Sequence, residues 1–366
     1  MPAATFWLIL FSAAFAVQVA YWMLLRYGFG RAQRNAVPEP KAPLPPVSVV
    51  VAARDEAARL STLLAALARQ THPCYEVLLV DDASTDATPE IVQAWQHTHA
   101  NVRLLRLEQP QTPRKKHALA QGIAAARYDL LAFTDADCAP PPGWLATLAQ
   151  HHAAAAEDTL LVGYSPFRKA PGLLNRLARY ETFVTGFLTA ATIGLGRPYM
   201  AVGRNLSYER ALFHRLDGFA HSHHSISGDD DLLVQEVVRR RAAAVRHVFD
   251  PRAFVLSDPP ATWRQGLRQK LRHLSAGRFY DRGAQAHLTL FHATGVALWA
   301  APFVAGWIGV GLLLARLLVQ GLVLRRAAHV LDERDLLPAQ PLLDLFYTAY
   351  NLVIAPLGLA RMPKRW

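Results

Sequence analysis

Leu130-Leu131-Ala132-Phe133-Thr134-Asp135-Ala136-Asp137-Cys138 is an apolar run that ends in two carboxylates one residue apart. A short charge-free run bounded by polar residues reads as a buried strand, and acids at its carboxyl end lie where open α/β sheets hold their ligands. Residues i and i+2 of an extended segment point the same way, so Asp135 and Asp137 can together address one hard cation and the oxygens of a phosphate. Taken alone, the pair also fits a strand running into a solvated acidic turn.

The residues upstream give the run its context. Residues 47–52 (VSVVVA) form a buried strand, residues 56–70 have helical periodicity, and residues 76–81 (EVLLVD) form a second strand before the turn Asp82-Ala83-Ser84-Thr85-Asp86. Strand, helix, strand at this spacing is a right-handed βαβ unit. A helix over 88–96, a strand over 102–107 and a helix over 116–126 then lead to the strand at 130–134. The expectation is a doubly wound, mainly parallel, Rossmann-like sheet. Strands one, two and four end in Arg54, Asp55 and Glu56, in Asp81 and Asp82, and in Asp135 and Asp137, so three polar strand ends converge on one crevice. No Gly-x-Gly-x-x-Gly follows the first strand and no Walker-type lysine motif occurs, so a diphosphate would need a metal rather than a cradle of backbone amides. Asp82 fits either a contact to base or ribose or an ordinary turn aspartate.

The 366 residues are 52% hydrophobic, enough for one large α/β domain plus membrane segments. A net charge of +11 implies an anionic partner. The basic residues are spread along apolar segments with no nucleic-acid module between them, which favours anionic lipid and diphosphate over DNA or RNA. The only cysteines, Cys74 and Cys138, supply neither a disulfide framework nor a paired zinc motif. Residues 5–25 (TFWLILFSAAFAVQVAYWMLL) carry no charge over the length of a spanning helix, with Tyr21 and Trp22 suited to its boundary. Arg26, Arg31, Arg34 and Lys41 follow, so the positive-inside rule leaves the rest of the chain in the cytoplasm. Residues 288–324 are too long for one span and read as a hairpin around Pro302 and Gly306. Residues 341–360 are interrupted by Asp344, Asn351 and Pro356 and read as interfacial, re-entrant or a third carboxyl-terminal span.

Between these lie residues 172–196, an apolar stretch broken by charges and glycines that fits an interfacial helix or one packed on the domain. A histidine- and serine-rich loop over 214–227 leads into Gly228-Asp229-Asp230-Asp231 and an apolar helix. Capping by the helix dipole accounts for one or two of these acids and does not require three. Residues 263–280 (WRQGLRQKLRHLSAGRFY) form a basic amphipathic helix suited to a membrane surface.

In order, VSVVVAARDE (47–56), LLVDDASTD (78–86), KKHAL (115–119), TDADC (134–138), GRNLSYER (203–210) and SGDDDLL (227–233) resemble the membrane-bound family 2 glycosyltransferases of the GT-A fold. That group includes ceramide glucosyltransferases and cellulose, chitin and hyaluronan synthases, and the likeness runs from about 47 to about 280. The resemblance implies that Ala52, Arg54 and Glu56 border the nucleotide, that Asp82 contacts its base, and that Lys115 lies near phosphates or uridine. It implies that Asp135 meets ribose or donor sugar and shares a Mg2+ or Mn2+ ion with Asp137, the principal metal ligand, and that Asn205 lies under the donor sugar. Asp230 becomes the general base that takes the acceptor's proton, with Asp229 beside it, and a single inverting displacement needs no covalent nucleophile. Gln269-Lys270-Leu271-Arg272-His273 stands at the family's Gln-x-x-Arg-Trp motif, with Arg272 on the diphosphate and Gln269 and His273 toward the acceptor. His273 departs from the usual tryptophan and offers less stacking area.

The expected organisation is a transmembrane anchor over 1–27, a linker over 28–46, and a cytoplasmic GT-A domain over 47–285, divided into a nucleotide-sugar half (47–165) and an acceptor half (166–285). A transmembrane hairpin over 286–326 and a last membrane segment over 341–366 complete it, giving one amino-terminal and two or three carboxyl-terminal membrane segments. The expected function is metal-dependent transfer from a nucleotide-sugar, a UDP-sugar first, to a lipid or membrane-adjacent acceptor at the inner membrane of the cell envelope. Two alternatives are a processive polysaccharide synthase and a catalytically silent nucleotide-sugar- or lipid-binding membrane subunit.

Overall fold

The structure is a computed structural model that describes residues 3–34, 43–109 and 111–360. In chain order its elements are α1 (Ala3–Arg34), β1 (Val47–Ala53), α2 (Ala57–Ala68), β2 (Tyr75–Asp81), α3 (Thr88–Thr98), β3 (Val102–Arg106), α4 (Arg114–Ala125) and β4 (Leu130–Phe133). Then follow β5 (Cys138–Ala139), α5 (Trp144–Ala153), β6 (Thr159–Gly163), α6 (Leu173–Gly194), β7 (Leu206–Glu209), α7 (Arg210–Arg215), α8 (Asp231–Arg240) and β8 (Ala244–Val248). The last are β9 (Leu256–Ser257), α9 (Trp263–Ala276), α10 (Arg282–Val330) and α11 (Gln340–Ala360). They fall into two compact units, one drawn from residues up to Arg31, Lys169–Gly196 and Pro260 onward, the other from Ala32–Arg168 and Arg197–Pro259.

The second unit is the α/β domain. Its main sheet has the order β3-β2-β1-β4-β7-β6-β8, and β5 and β9 pair as a separate two-stranded sheet. The strands β1 to β4 run parallel, β7 is antiparallel to both neighbours, and β8 is parallel to β6. Every residue of β1 is buried, as expected of a parallel strand covered on both faces. From β1 the chain builds outward to β2 and β3, then returns to add β4 on the other side of β1. The order of winding therefore reverses between β1 and β4, and ligands of open sheets bind beyond the carboxyl ends of strands at such a reversal.

The other unit is helical. Among the described residues, three helices are long and apolar enough to cross a membrane: Ala4–Arg34, Arg282–Val330 and the run ending in α11, Arg334–Ala360. The 49 residues of α10 are interrupted at Gly306, whose φ of 54° and ψ of −133° are not helical. Glycine adopts positive φ without a Cβ clash, and beyond it the chain doubles back so closely that a Cβ on Gly309 would lie 2.1 Å from the Ala301 carbonyl oxygen. The chain thus turns back on itself at Gly306, within the stretch 286–326. α11 is continuous through Asn351 and Pro356.

Three expectations need correction. The helix α1 runs to Arg34, past the boundary expected at residue 27, because Phe29 is buried and packs on Phe187 of α6 at 5.3 Å between ring centroids. Lys41 and much of the linker lie outside the described residues. Trp22, expected at the membrane boundary, is fully buried against Phe187 and Phe291. The stretch 172–196 is a packed helix, α6, with its second half almost entirely buried, so residues 169–196 and 260–285 belong to the helical unit rather than to an acceptor half.

Candidate active site

At the reversal point, the turns after β1 and β2 are stitched together by short polar side chains. The Asp55 carboxylate accepts from the Thr85 amide (2.7 Å) and hydroxyl, the Asp55 amide donates to Ser84, and the amides of Glu56 and Ala57 donate to Thr88 and Asp86. Asp55 and Ala83 hold left-handed φ of 53° at these bends. The residues Arg54 to Glu56 are thereby fixed at the mouth of the crevice, next to Asp82. Arg114, at the start of α4, donates to the Asp82 carboxylate and to the Asp82 carbonyl, each at 2.7 Å. The second carboxylate oxygen of Asp82 is buried without a hydrogen-bond partner. A buried acceptor left open is costly unless a ligand meets it, so Asp82 is prepared for a donor group.

Beyond β4, Asp135 and Asp137 project from a tight turn closed by the Cys138 amide on the Asp135 carbonyl (3.1 Å). Burial, then the neighbouring Asp135, hold the Asp137 carboxyl above the usual range, and the Arg204 guanidinium opposes this. Glu56 is raised as well, first by burial, with Asp137 and Asp135 both contributing. Three carboxylates thus crowd one end of the sheet. The ammonium of Lys115 stands 3.0 Å from Asp135 and 3.0 Å from Asp229, joining this group to the acids of α8.

Those three acids separate by role. Asp231 accepts from the Ala201 amide at 2.9 Å, and Asp229 faces Lys115. Asp230 caps α8, one oxygen accepting from the Asp231 amide (2.8 Å) and the other from the Gly203 amide (2.7 Å). Gly203 permits this approach, since a Cβ there would sit 3.1 Å from the Asp230 oxygen. Burial and the adjacent Asp229 raise the Asp230 carboxyl, while the two amides and Lys115 pull it down. The preceding loop is tied to α4 by Lys116, whose buried ammonium donates to the Ser222 carbonyl (2.7 Å), the Ser222 hydroxyl (3.1 Å) and the Ser225 carbonyl (3.1 Å).

Of the residues expected at the site, Ala52, Arg54, Glu56, Asp82, Lys115, Asp135, Asp137, Asp229 and Asp230 all lie in the α/β unit. Asn205, expected under the donor sugar, has its side chain engaged by the protein. It is fully buried, its amide nitrogen donates to the carbonyls of Tyr164 and Ala253, and its oxygen accepts from the Trp144 indole, so it is a strut between β6, α5 and the segment before β9. A buried amide must spend its hydrogen bonds on the protein. Gln269, Arg272 and His273 lie on α9 of the helical unit, where a guanidinium nitrogen of Arg272 is 3.4 Å from the His273 ring. Two residues escaped the sequence reading: Arg114, and Arg204, which is anchored on the Ser165 hydroxyl and carbonyl (2.8 Å each) within electrostatic reach of Asp137. Arg114 adjoins a quoted motif and Arg204 lies within one, the only signal available.

The family model described as "Glycosyl transferase family 2" matches residues 48–215. Those residues are a family 2 glycosyl transferase domain. Among curated proteins, Glycosyltransferase AglE of Haloferax volcanii is 36% identical over 28% of this chain and 34% of its own length. Beta-monoglucosyldiacylglycerol synthase of Nostoc is 34% identical over 28% of this chain and 23% of its own length. The chain therefore spans 34% of the length of the first of these relatives and 23% of the second. The solved structure titled mannosyltransferase PcManGT from Pyrobaculum calidifontis, in complex with GDP-Man and Mn2+, has a TM-score of 0.53 at 20% identity, covering 92% of this chain and 99% of that one. At that identity the likeness is one of fold, and the fold is GT-A.

The residues suit a divalent ion only in part. Asp135 and Asp137 are hard oxygen donors side by side, but among the described residues no three histidine, cysteine, aspartate or glutamate side chains gather as a metal set. An ion at this family 2 domain would take its remaining ligands from the nucleotide's diphosphate and water, the usual arrangement for Mg2+.

Proposed function

We propose that the protein is an inverting glycosyltransferase that moves a sugar from a nucleotide-sugar, a UDP-sugar first, to a lipid or membrane-adjacent acceptor. The observation that carries this reading is the meeting of two acid groups, Asp135 with Asp137 and Asp229 with Asp230, through the single lysine Lys115. A transferase needs one group at the leaving diphosphate and another at the acceptor hydroxyl, close enough to share a sugar between them. Asp82, with its open oxygen, receives a ring N–H of the base. Asp230 takes the acceptor proton as the new glycosidic bond forms, and the amides of Gly203 and Asp231 hold its carboxylate in position. Arg204 and Lys115 supply fixed positive charge around the leaving group. A Mg2+ or Mn2+ ion held by Asp135 and Asp137 would offset the charge that builds on the diphosphate. The three apolar helices support a membrane location, which the basic residues after Leu25 orient with the α/β unit in the cytoplasm. The similarity to a protein named for glucosyldiacylglycerol synthesis supports a lipid acceptor.

The test is to incubate membranes containing the protein with a panel of labelled nucleotide-sugars and extract the lipid. Labelled glycolipid is expected from wild type. Asp137→Ala is expected to lose metal-dependent UDP binding, whereas Asp230→Asn keeps binding and loses at least about 100-fold in transfer. A long water-soluble polymer as sole product would overturn the lipid acceptor, and normal transfer by Asp230→Asn would overturn the base.

A further inference from the structure

Lys115 is placed where a bound cation would be useful. Its ammonium lies 3.0 Å from an oxygen of Asp135 and 3.0 Å from an oxygen of Asp229, with the lysine and Asp229 side chains only 12% and 11% exposed. Asp137 and Glu56 add their charge nearby. Four acids in partial burial repel one another unless a cation intervenes, and here the protein supplies its own. That cation is covalently attached to α4, whose next residue, Lys116, is locked by three hydrogen bonds, so the Lys115 stem starts from a fixed backbone.

We infer that Lys115 is the resident counter-ion of the site before nucleotide binds and makes metal loading conditional on the nucleotide. Its charge occupies the oxygens of Asp135 and Asp229 and lowers the site's attraction for a free divalent ion. A nucleoside diphosphate brings negative charge of its own, which gives the ammonium a new partner and restores the attraction for metal. The same lysine then turns from a link between the two acid groups into a ligand of the diphosphate. The inference rests on the metal-dependent reading of the site above and adds the order of loading to it.

The experiment is Mn2+ binding to the detergent-solubilised full chain, followed by the electron paramagnetic resonance signal of free Mn2+, with and without UDP or GDP. Wild type is expected to bind Mn2+ appreciably only with a nucleotide. Lys115→Gln is expected to bind Mn2+ without nucleotide at least about tenfold more tightly than wild type, because one positive charge has left the immediate shell of two carboxylates. Lys115→Arg keeps the charge and is expected to keep the dependence on nucleotide. If Lys115→Gln does not fold, Lys115→Met, which keeps most of the aliphatic stem, is read in its place. Nucleotide-dependent binding by wild type with no nucleotide-free gain in the neutral variant would overturn the inference and leave the metal reading standing. An equal gain in Lys115→Arg would also overturn it, since charge would not be the cause. No Mn2+ binding by wild type with either nucleotide would overturn the metal reading, and this inference with it.

Discussion

Asp230 combines two properties that a general base needs and that oppose each other. Two backbone amides fix its carboxylate, one on each oxygen, which restricts it to a single orientation. Burial and the charge of Asp229 raise its affinity for a proton above that of an ordinary aspartate, which makes it a better base. The sign of the pH dependence follows. With Asp230 as the proposed base, transfer requires it ionised, so kcat/KM is expected to fall as pH drops through its raised value, with the acid limb above the ordinary aspartate value of about 4. Asp229→Asn removes the neighbouring negative charge, lowers the proton affinity of Asp230 and moves that limb to lower pH. A pH–rate profile on both forms checks this, and a limb unmoved in Asp229→Asn would separate it from Asp230.

At the scale of elements, the loop before α8 shows what one buried lysine does. Lys116 is only 2% exposed, burial draws its ammonium down to about 8, and all three of its named partners are neutral oxygens of the loop. Lys116→Met strips those oxygens of a donor and unties the segment that presents Asp229 and Asp230, while leaving Asp82, Asp135 and Asp137 in place. Turnover is expected to fall by roughly tenfold or more, the scale of losing one or two buried hydrogen bonds, with UDP affinity changed less than about twofold. Calorimetric UDP binding beside steady-state turnover distinguishes this from general destabilisation, which would lower both. The strands were legible in the sequence because a central strand covered on both faces favours a charge-free run, as residues 47–53 and 130–133 are. The order of the loop was not, since its anchor lies 106 positions away and leaves no local pattern. Asn205 is the opposite case: its place in a motif draws attention to a ligand role, and only its three buried partners reveal that it also acts as a strut. The stretch that became α6 was ambiguous because an apolar helix packed on other helices has the same composition as one lying in an interface.

At the scale of the molecule, the apolar helices are joined by polar groups. Gln18 of α1 donates to the Phe291 carbonyl (2.7 Å) and Thr294 (2.8 Å) of α10, and Arg316 of α10 forms a buried ion pair with Asp344 of α11. Asp344 also accepts from Trp299 (3.0 Å) and Gln320 (2.7 Å), and Gln320 reaches the Tyr180 hydroxyl of α6 at 3.2 Å. Phe303, Trp307, Leu314, Leu318 and Leu322 are turned outward on the same hairpin. In lipid an outward apolar face gains nothing by leaving its surroundings, so helices there are held by packing and by buried polar contacts. Removing one member of the pair should therefore cost more than removing both. Asp344→Leu leaves the Arg316 charge buried without its carboxylate and is expected to cost about 3–5 kcal/mol, whereas adding Arg316→Met should recover most of that loss. Thermal unfolding in detergent, monitored by tryptophan fluorescence, measures both. Equal melting temperatures for the single and double variants would show that the charge pair does not join these helices, and the tie would then rest on Gln18 and on the packing of Trp22 between Phe187 and Phe291.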